Sequence, residues 1–187
     1  MNLPNLLTLS RILLIPFFVL VYAIPGPGTY VYAAGLFALA AFTDWLDGYL
    51  ARRLDQTTPF GAFLDPVADK LIVVSALAIL IGHHGTLWVT LPGTVIIGRE
   101  IVISALREWM AEMNRRGVVN VTWIGRVKTT LQMVAILVLL ANPPGLESVW
   151  VVAGIVMLYA AALLTLWTMV LYLRAAWPTL RSGFEQR

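Results

Sequence analysis

The chain has 187 residues, of which 59% are hydrophobic and only 12% charged, where soluble domains carry about a quarter charged residues. Its mean hydropathy of +0.82 excludes a disordered chain and a nucleic-acid module, and the absence of Cys excludes a disulfide scaffold, thiolate catalysis and Cys-ligated metals. Six spans of about 20 residues would use roughly 120 residues, so the net charge of +3 reads as the loop charge of a polytopic membrane protein.

In chain order, the first predicted span covers 6–24 and ends at Pro25-Gly26-Pro27-Gly28. Arg11 resembles the n-region of a signal peptide, but no small-x-small site follows and the apolar pattern continues. Pro16 stands where it could bend this span. The second and third spans, 29–52 and 59–81, are joined by a link from Arg53 to about Thr58, short enough only for antiparallel neighbours. Thr58-Pro59 reads as the N-cap and first position of the third helix. Residues 71–98 form a charge-free run of 28 residues broken by Gly82-His83-His84-Gly85. That is too short for two spans, so the third and the fourth (87–108) must extend over charged residues. Spans at 122–141 and 149–173, separated by Asn142-Pro143-Pro144-Gly145, complete the set. The expected fold is all-α: one integral membrane domain over 1–187 with six transmembrane helices and no internal repeat.

Charge gives the orientation. The connections after the first, third and fifth spans hold no Lys or Arg, and their one formal charge is Glu147. All thirteen basic residues lie at the other ends of the spans, which predicts cytoplasmic N and C termini. Trp88, Trp150, Tyr30 and Tyr32 then fall near the outer ends, as an aromatic belt does. His83 and His84 are expected at the outer interface, and Trp45 and Tyr49 are expected to pack.

Charges intrude into the predicted helices at Asp44, Asp47, Asp65, Asp69, Lys70, Arg99 and Glu100. A carboxylate in hydrocarbon costs about 2.5 kcal/mol or more on insertion scales, so such groups face a cavity or a partner. Asp44, Asp47, Gly48 and Ala51 stand at i, i+3, i+4 and i+7, one stripe of a helix; Gly61, Asp65 and Asp69 stand at i, i+4 and i+8 on the next. Facing each other, the two stripes place four carboxylates in one cluster, which repels unless cations neutralise it. Oxygen-only ligands select hard cations, Mg²⁺ or Mn²⁺, and four carboxylates can hold two ions.

Residues 44–69 contain D-x2-D-G-x2-A-R-x8-G-x3-D-x3-D, filled by Asp44, Asp47, Gly48, Ala51, Arg52, Gly61, Asp65 and Asp69. This pattern resembles the signature of the CDP-alcohol phosphatidyltransferase family. The opening run from Asn2 to Arg11, the segment Gly98 to Ala111 and the segment Gly125 to Thr130 resemble the bacterial members that use glycerol 3-phosphate as acceptor. The resemblance implies transfer of a phosphatidyl group from CDP-diacylglycerol to sn-glycerol 3-phosphate, giving phosphatidylglycerophosphate and CMP. It implies two divalent ions per site, one held by Asp44, Asp47 and Asp65 and one by Asp44, Asp65 and Asp69, with Asp69 as general base. It places Arg52 on the nucleotide phosphates and Asn5, Thr8, Gly48, Thr58 and Gly61 along CDP-diacylglycerol. It also implies a homodimer in the bacterial inner membrane, with the site on the cytoplasmic side.

An acceptor that carries a phosphate needs a basic pocket beside the aspartates. The candidates are Arg99, Arg107, Arg126 and Lys128, while Glu100, Ser104 and Arg107 share a helix face. Arg126 and Lys128 also suit lipid headgroups. The aspartate motif alone fits other acceptors, inositol phosphate or phosphatidylglycerol; the segments at 98–111 and 125–130 favour glycerol 3-phosphate. A cation-coupled transporter would place its charges near the bilayer midplane and usually shows repeats, neither of which is seen here.

Overall fold

The computed structural model describes residues 3–54, 58–112 and 123–184, and among these every regular element is a helix. The side chains of Arg52 and Arg126, and the whole of Arg115 and Arg116, lie outside the described residues. Six helices follow in order: α1 Leu3–Ala23, α2 Thr29–Leu54, α3 Pro59–His84, α4 Leu87–Glu112, α5 Trp123–Leu140 and α6 Val149–Phe184. Most ends fall within a few residues of the expected ones because they are set by local chemistry. The Thr29 hydroxyl donates to the Gly26 carbonyl at 2.9 Å and Gly28 takes a positive φ of 80° before α2. The Thr58 hydroxyl caps α3 by accepting from the Gly61 amide at 3.0 Å. Gly85, left-handed at φ 57°, closes α3 by donating to the Ile81 carbonyl.

The α6 helix runs on to Phe184, about three turns beyond the expected end. Its Tyr172 and Ala176 are buried against Ile103, Leu106 and Met110 of α4, so packing carries the helix past the apolar run.

Burial is inverted relative to a water-soluble domain. Arg11 has no exposed surface, whereas Leu13, Phe17 and Leu20 form an outward stripe of α1 with more than half their surface exposed. Among the described residues three helices are long and apolar enough to cross a membrane: Asn5–Ala23, Leu87–Ala111 and Val149–Trp177; α5 contributes the shorter apolar stretch Val127–Leu140. An apolar exterior around buried charge is what hydrocarbon demands of a bundle.

The α1 helix packs on α2 and α3, α4 on α3 and α6, and α5 chiefly on α6. The main core fills the end away from the charges, with Phe18 edge-on to Phe37 at 6.3 Å and Leu77, Leu80, Ile96, Ile136 and Leu158 buried. Gly154 lets α6 approach α5: a Cβ there would stand 2.9 Å from the Leu139 side chain.

His84 is buried on the inward face of α3, while His83 is exposed and meets the Tyr22 ring edge-on at 4.7 Å. One expectation is corrected here. Trp45 and Tyr49 do not pack inward. They stack on each other at 5.8 Å on the outward face of α2, opposite the side that carries the carboxylates, and Arg53 lies 5.9 Å over Tyr49.

Candidate active site

One end of the bundle holds almost all of its buried charge. On α1, Asn5, Thr8 and Arg11 are spaced at i, i+3 and i+6, so one face of the helix presents all three to α2 and α3. Asn5 Nδ2 donates to the Thr58 hydroxyl at 2.9 Å. The Thr8 hydroxyl donates to Asp65 Oδ1 at 2.8 Å, with Asp47 Oδ2 at 3.2 Å. Both side chains tie α1 to its neighbours. Gly61 sits where these strands of contact meet: a Cβ there would stand 2.6 Å from Asn5 Oδ1, so a side chain would force Asn5 away. Gly48 lies one turn beyond Asp44 on α2, half-buried.

Three of the four motif aspartates, Asp44, Asp47 and Asp69, meet around Arg11, and Thr8 ties the fourth, Asp65, to Asp47. Arg11 Nη1 donates to Asp69 Oδ1 at 2.6 Å and lies 2.7 Å from Asp44 Oδ1, while Nη2 bonds Asp47 Oδ2. An unpaired guanidinium buried this completely would cost several kcal/mol; three carboxylates from two helices offset that. Asp47 is buried with it, whereas the side chains of Asp44 and Asp69 are 46% and 52% exposed. Sequence reasoning missed Arg11 as a site residue. The available signal was that it is the only formal charge in α1 and stands one turn after Thr8.

Four carboxylates with one guanidinium leave three formal negative charges unbalanced within the cluster. Among the described residues no three acidic or imidazole groups are already arranged around a metal position. The donor set is nevertheless all carboxylate oxygen, with two of its members open to solvent, and it fits a hard divalent cation.

Beside the cluster lies a cavity of about 300 Å³ between α3, α4, α5 and α6, at the small end of the range for ligand sites. Asp69 forms part of its wall, so one carboxylate belongs to both regions. Three of the four predicted acceptor residues line it: Arg99, Arg107 and Lys128. Arg99 is buried and pairs with Glu100 Oε1 at 2.6 Å. Arg107 lies 5.8 Å over the Tyr172 ring, a cation–π contact that holds it at the rim. Lys128 is 5% exposed and its ammonium has no hydrogen-bond partner among the described residues. Buried polar groups are nearly always satisfied, so this cation calls for an anion.

Lys70, Thr129, Gln132 and Tyr172 also line the cavity and were not predicted. Lys70 donates to Ser104 Oγ across to α4. The signal for it was weak: Pro66, Lys70 and Val73 fall on one α3 face, but a lysine next to an aspartate reads equally well as that aspartate's own partner. With four cations and two carboxylates, Asp69 and Glu100, the cavity suits a small, doubly charged anion.

The model of a family described as CDP-alcohol phosphatidyltransferase matches residues 1–170. A curated Pseudomonas fluorescens protein named CDP-diacylglycerol–glycerol-3-phosphate 3-phosphatidyltransferase is 59% identical over 184 residues, covering 97% of this chain and 93% of its own. A protein of the same name from Escherichia coli K12 is 56% identical over 176 residues, 94% of each chain.

Proposed function

The chain belongs to the CDP-alcohol phosphatidyltransferase family, and from that premise we propose that it transfers the phosphatidyl group of CDP-diacylglycerol to sn-glycerol 3-phosphate, giving phosphatidylglycerophosphate and CMP. The printed name of its relatives supports both substrates. The observation that carries the reading is Asp69, one carboxylate shared by the acidic cluster and by a cavity with an unsatisfied buried ammonium.

In this reading the acceptor phosphate lies against Lys128, with Arg99 and Arg107 beside it, where an ammonium and two guanidinium forks suit phosphate oxygens. Arg126 is a fourth contact. Held there, the glycerol hydroxyl is directed to the Asp69 side of the cavity. Asp69 takes the hydroxyl proton as the oxygen bonds to the phosphorus that carries diacylglycerol. The bond from that phosphorus to the bridging oxygen breaks, and CMP departs with the electron pair. Asp44, Asp47 and Asp65 would hold one Mg²⁺ or Mn²⁺, and Asp44, Asp65 and Asp69 a second. Such ions, when bound, neutralise the pyrophosphate and polarise its phosphorus. Arg52 engages the nucleotide phosphates. Asn5, Thr8, Gly48, Thr58 and Gly61 border the nucleotide, with Gly61 making room for the Asn5 side chain.

The hydropathy pattern and the one-sided distribution of Lys and Arg support six spans with both termini and the site cytoplasmic, in the bacterial inner membrane. Family membership supports a homodimer.

CMP release from CDP-diacylglycerol by purified protein in detergent tests the proposal. With Mg²⁺ present, release should require glycerol 3-phosphate and be lost in EDTA. Release with inositol 1-phosphate or phosphatidylglycerol instead would move the acceptor assignment. A folded protein that releases no CMP with any of the three would overturn the transfer itself.

A further inference from the structure

Arg11 is a fully buried guanidinium on an otherwise uncharged stretch of helix, and its partners are three aspartates of the family motif. The transfer reading gives it no task. Its two terminal nitrogens differ in surroundings. Nη2 faces Asp47, which is buried with it; Nη1 is shared by Asp44 and Asp69, whose side chains are about half exposed. The Asp47 side is therefore walled in, and the Asp44/Asp69 side is the one a solvated cation can reach. Thr8 reinforces the walled side by donating to Asp65 beside Asp47.

From this we infer that Arg11 is a built-in counter-cation: it holds the aspartates of α2 and α3 together before a divalent cation binds, and competes with that cation for Asp44 and Asp69. The inference rests on the metal-dependent reading of the site. Like charges a few ångströms apart oppose each other, so the guanidinium weakens binding of the cation even as it keeps the carboxylates assembled. Without it, four carboxylates on α2 and α3 would face each other uncompensated. Arg11 is thus a positioning residue that acts through the carboxylates.

Mn²⁺ titration of the purified full-length chain in detergent, with melting in EDTA alongside, reads both halves of this without any substrate. R11Q should melt lower than wild type in EDTA yet bind Mn²⁺ about tenfold more tightly, an ordinary size for coupling between two sites. R11K, which keeps the charge but cannot fork between carboxylates, should also melt lower in EDTA while binding Mn²⁺ as wild type does. A merely structural role predicts the opposite for R11Q: a looser cluster and weaker binding. Folded R11Q with unchanged or weaker Mn²⁺ affinity overturns the inference.

Should R11Q fail to fold, the wild-type chain decides. With ¹⁵N-labelled arginine, the Arg11 Nε–H resonance, identified by its loss in R11K, should shift on saturation with Mg²⁺. An unchanged resonance in protein that binds the ion overturns the inference. Wild type that binds no divalent cation would instead overturn the metal-dependent reading beneath it, a separate result.

Discussion

The acidic cluster and the basic cavity share Asp69 and little else. In the cluster, α1 supplies a hydroxyl and a guanidinium that engage the carboxylates of α2 and α3, while Asp44 and Asp69 stay about half exposed. In the cavity, α5 supplies Lys128, buried and without a partner among the described residues. In the first region the carboxylates already have partners within the protein; in the second a buried cation has none among the described residues. Substitutions should therefore act differently in the two: in the cluster they should disturb folding as well as chemistry, and in the cavity chemistry alone.

The largest effect is expected where the regions join. Asp69→Asn keeps size but removes the proton acceptor, and CMP release should fall about 10²- to 10⁴-fold. The protein should remain folded, because Asp44 and Asp47 still hold Arg11. Activity within threefold of wild type would show that the shared carboxylate is not the base.

Next comes Lys128→Met, which removes the unsatisfied cation and keeps most of the volume. The KM for glycerol 3-phosphate should rise about 10- to 100-fold, consistent with about 1.5–3 kcal/mol for a hydrogen bond to a charged group. The KM for CDP-diacylglycerol should stay close to wild type, and thermal stability should hold or increase. A fall in stability without a change in the acceptor KM would break the contrast, since it would make Lys128 a structural residue.

The smallest effect, on the cluster side, is Gly61→Ala. The added Cβ would meet Asn5 Oδ1 at 2.6 Å, and overpacking of this kind costs about 1–3 kcal/mol. A lower melting temperature with a raised KM for CDP-diacylglycerol is expected, with the acceptor KM unmoved. A change in the acceptor KM instead would mean that the two regions are not separable.

Much of this was legible beforehand, for reasons that differ by residue. The breaks at Pro25 to Gly28 and at Asn142 to Gly145 bracket helices because proline and glycine stop them locally. Asp44 with Asp47, and Asp65 with Asp69, share helix faces by spacing alone. Lys128 and Arg107 were found by the demand for an anion pocket and do line one cavity. Arg11 was not found, since a single charge near the start of an apolar helix resembles an ordinary flanking charge. Trp45 and Tyr49 were expected to pack, and they stack on each other on the exposed face of α2; where hydrocarbon is the solvent an outward face is as apolar as the core, so hydrophobicity does not tell the faces apart.

What the amino-acid sequence by itself determined was the all-α class, the order and approximate ends of six helices, and the grouping of charges at one end. Each of these depends on residues within a few turns of one another. Tertiary structure alone decided the partners across helices: Arg11 with Asp47, 36 residues apart, and with Asp69, 58 apart, and the enclosure of Lys128 without a hydrogen-bond partner among the described residues. Helical periodicity says which residues share a face; it does not say which face of another helix lies opposite. That is settled only when the bundle packs and each buried charge must find its opposite or remain open for a ligand.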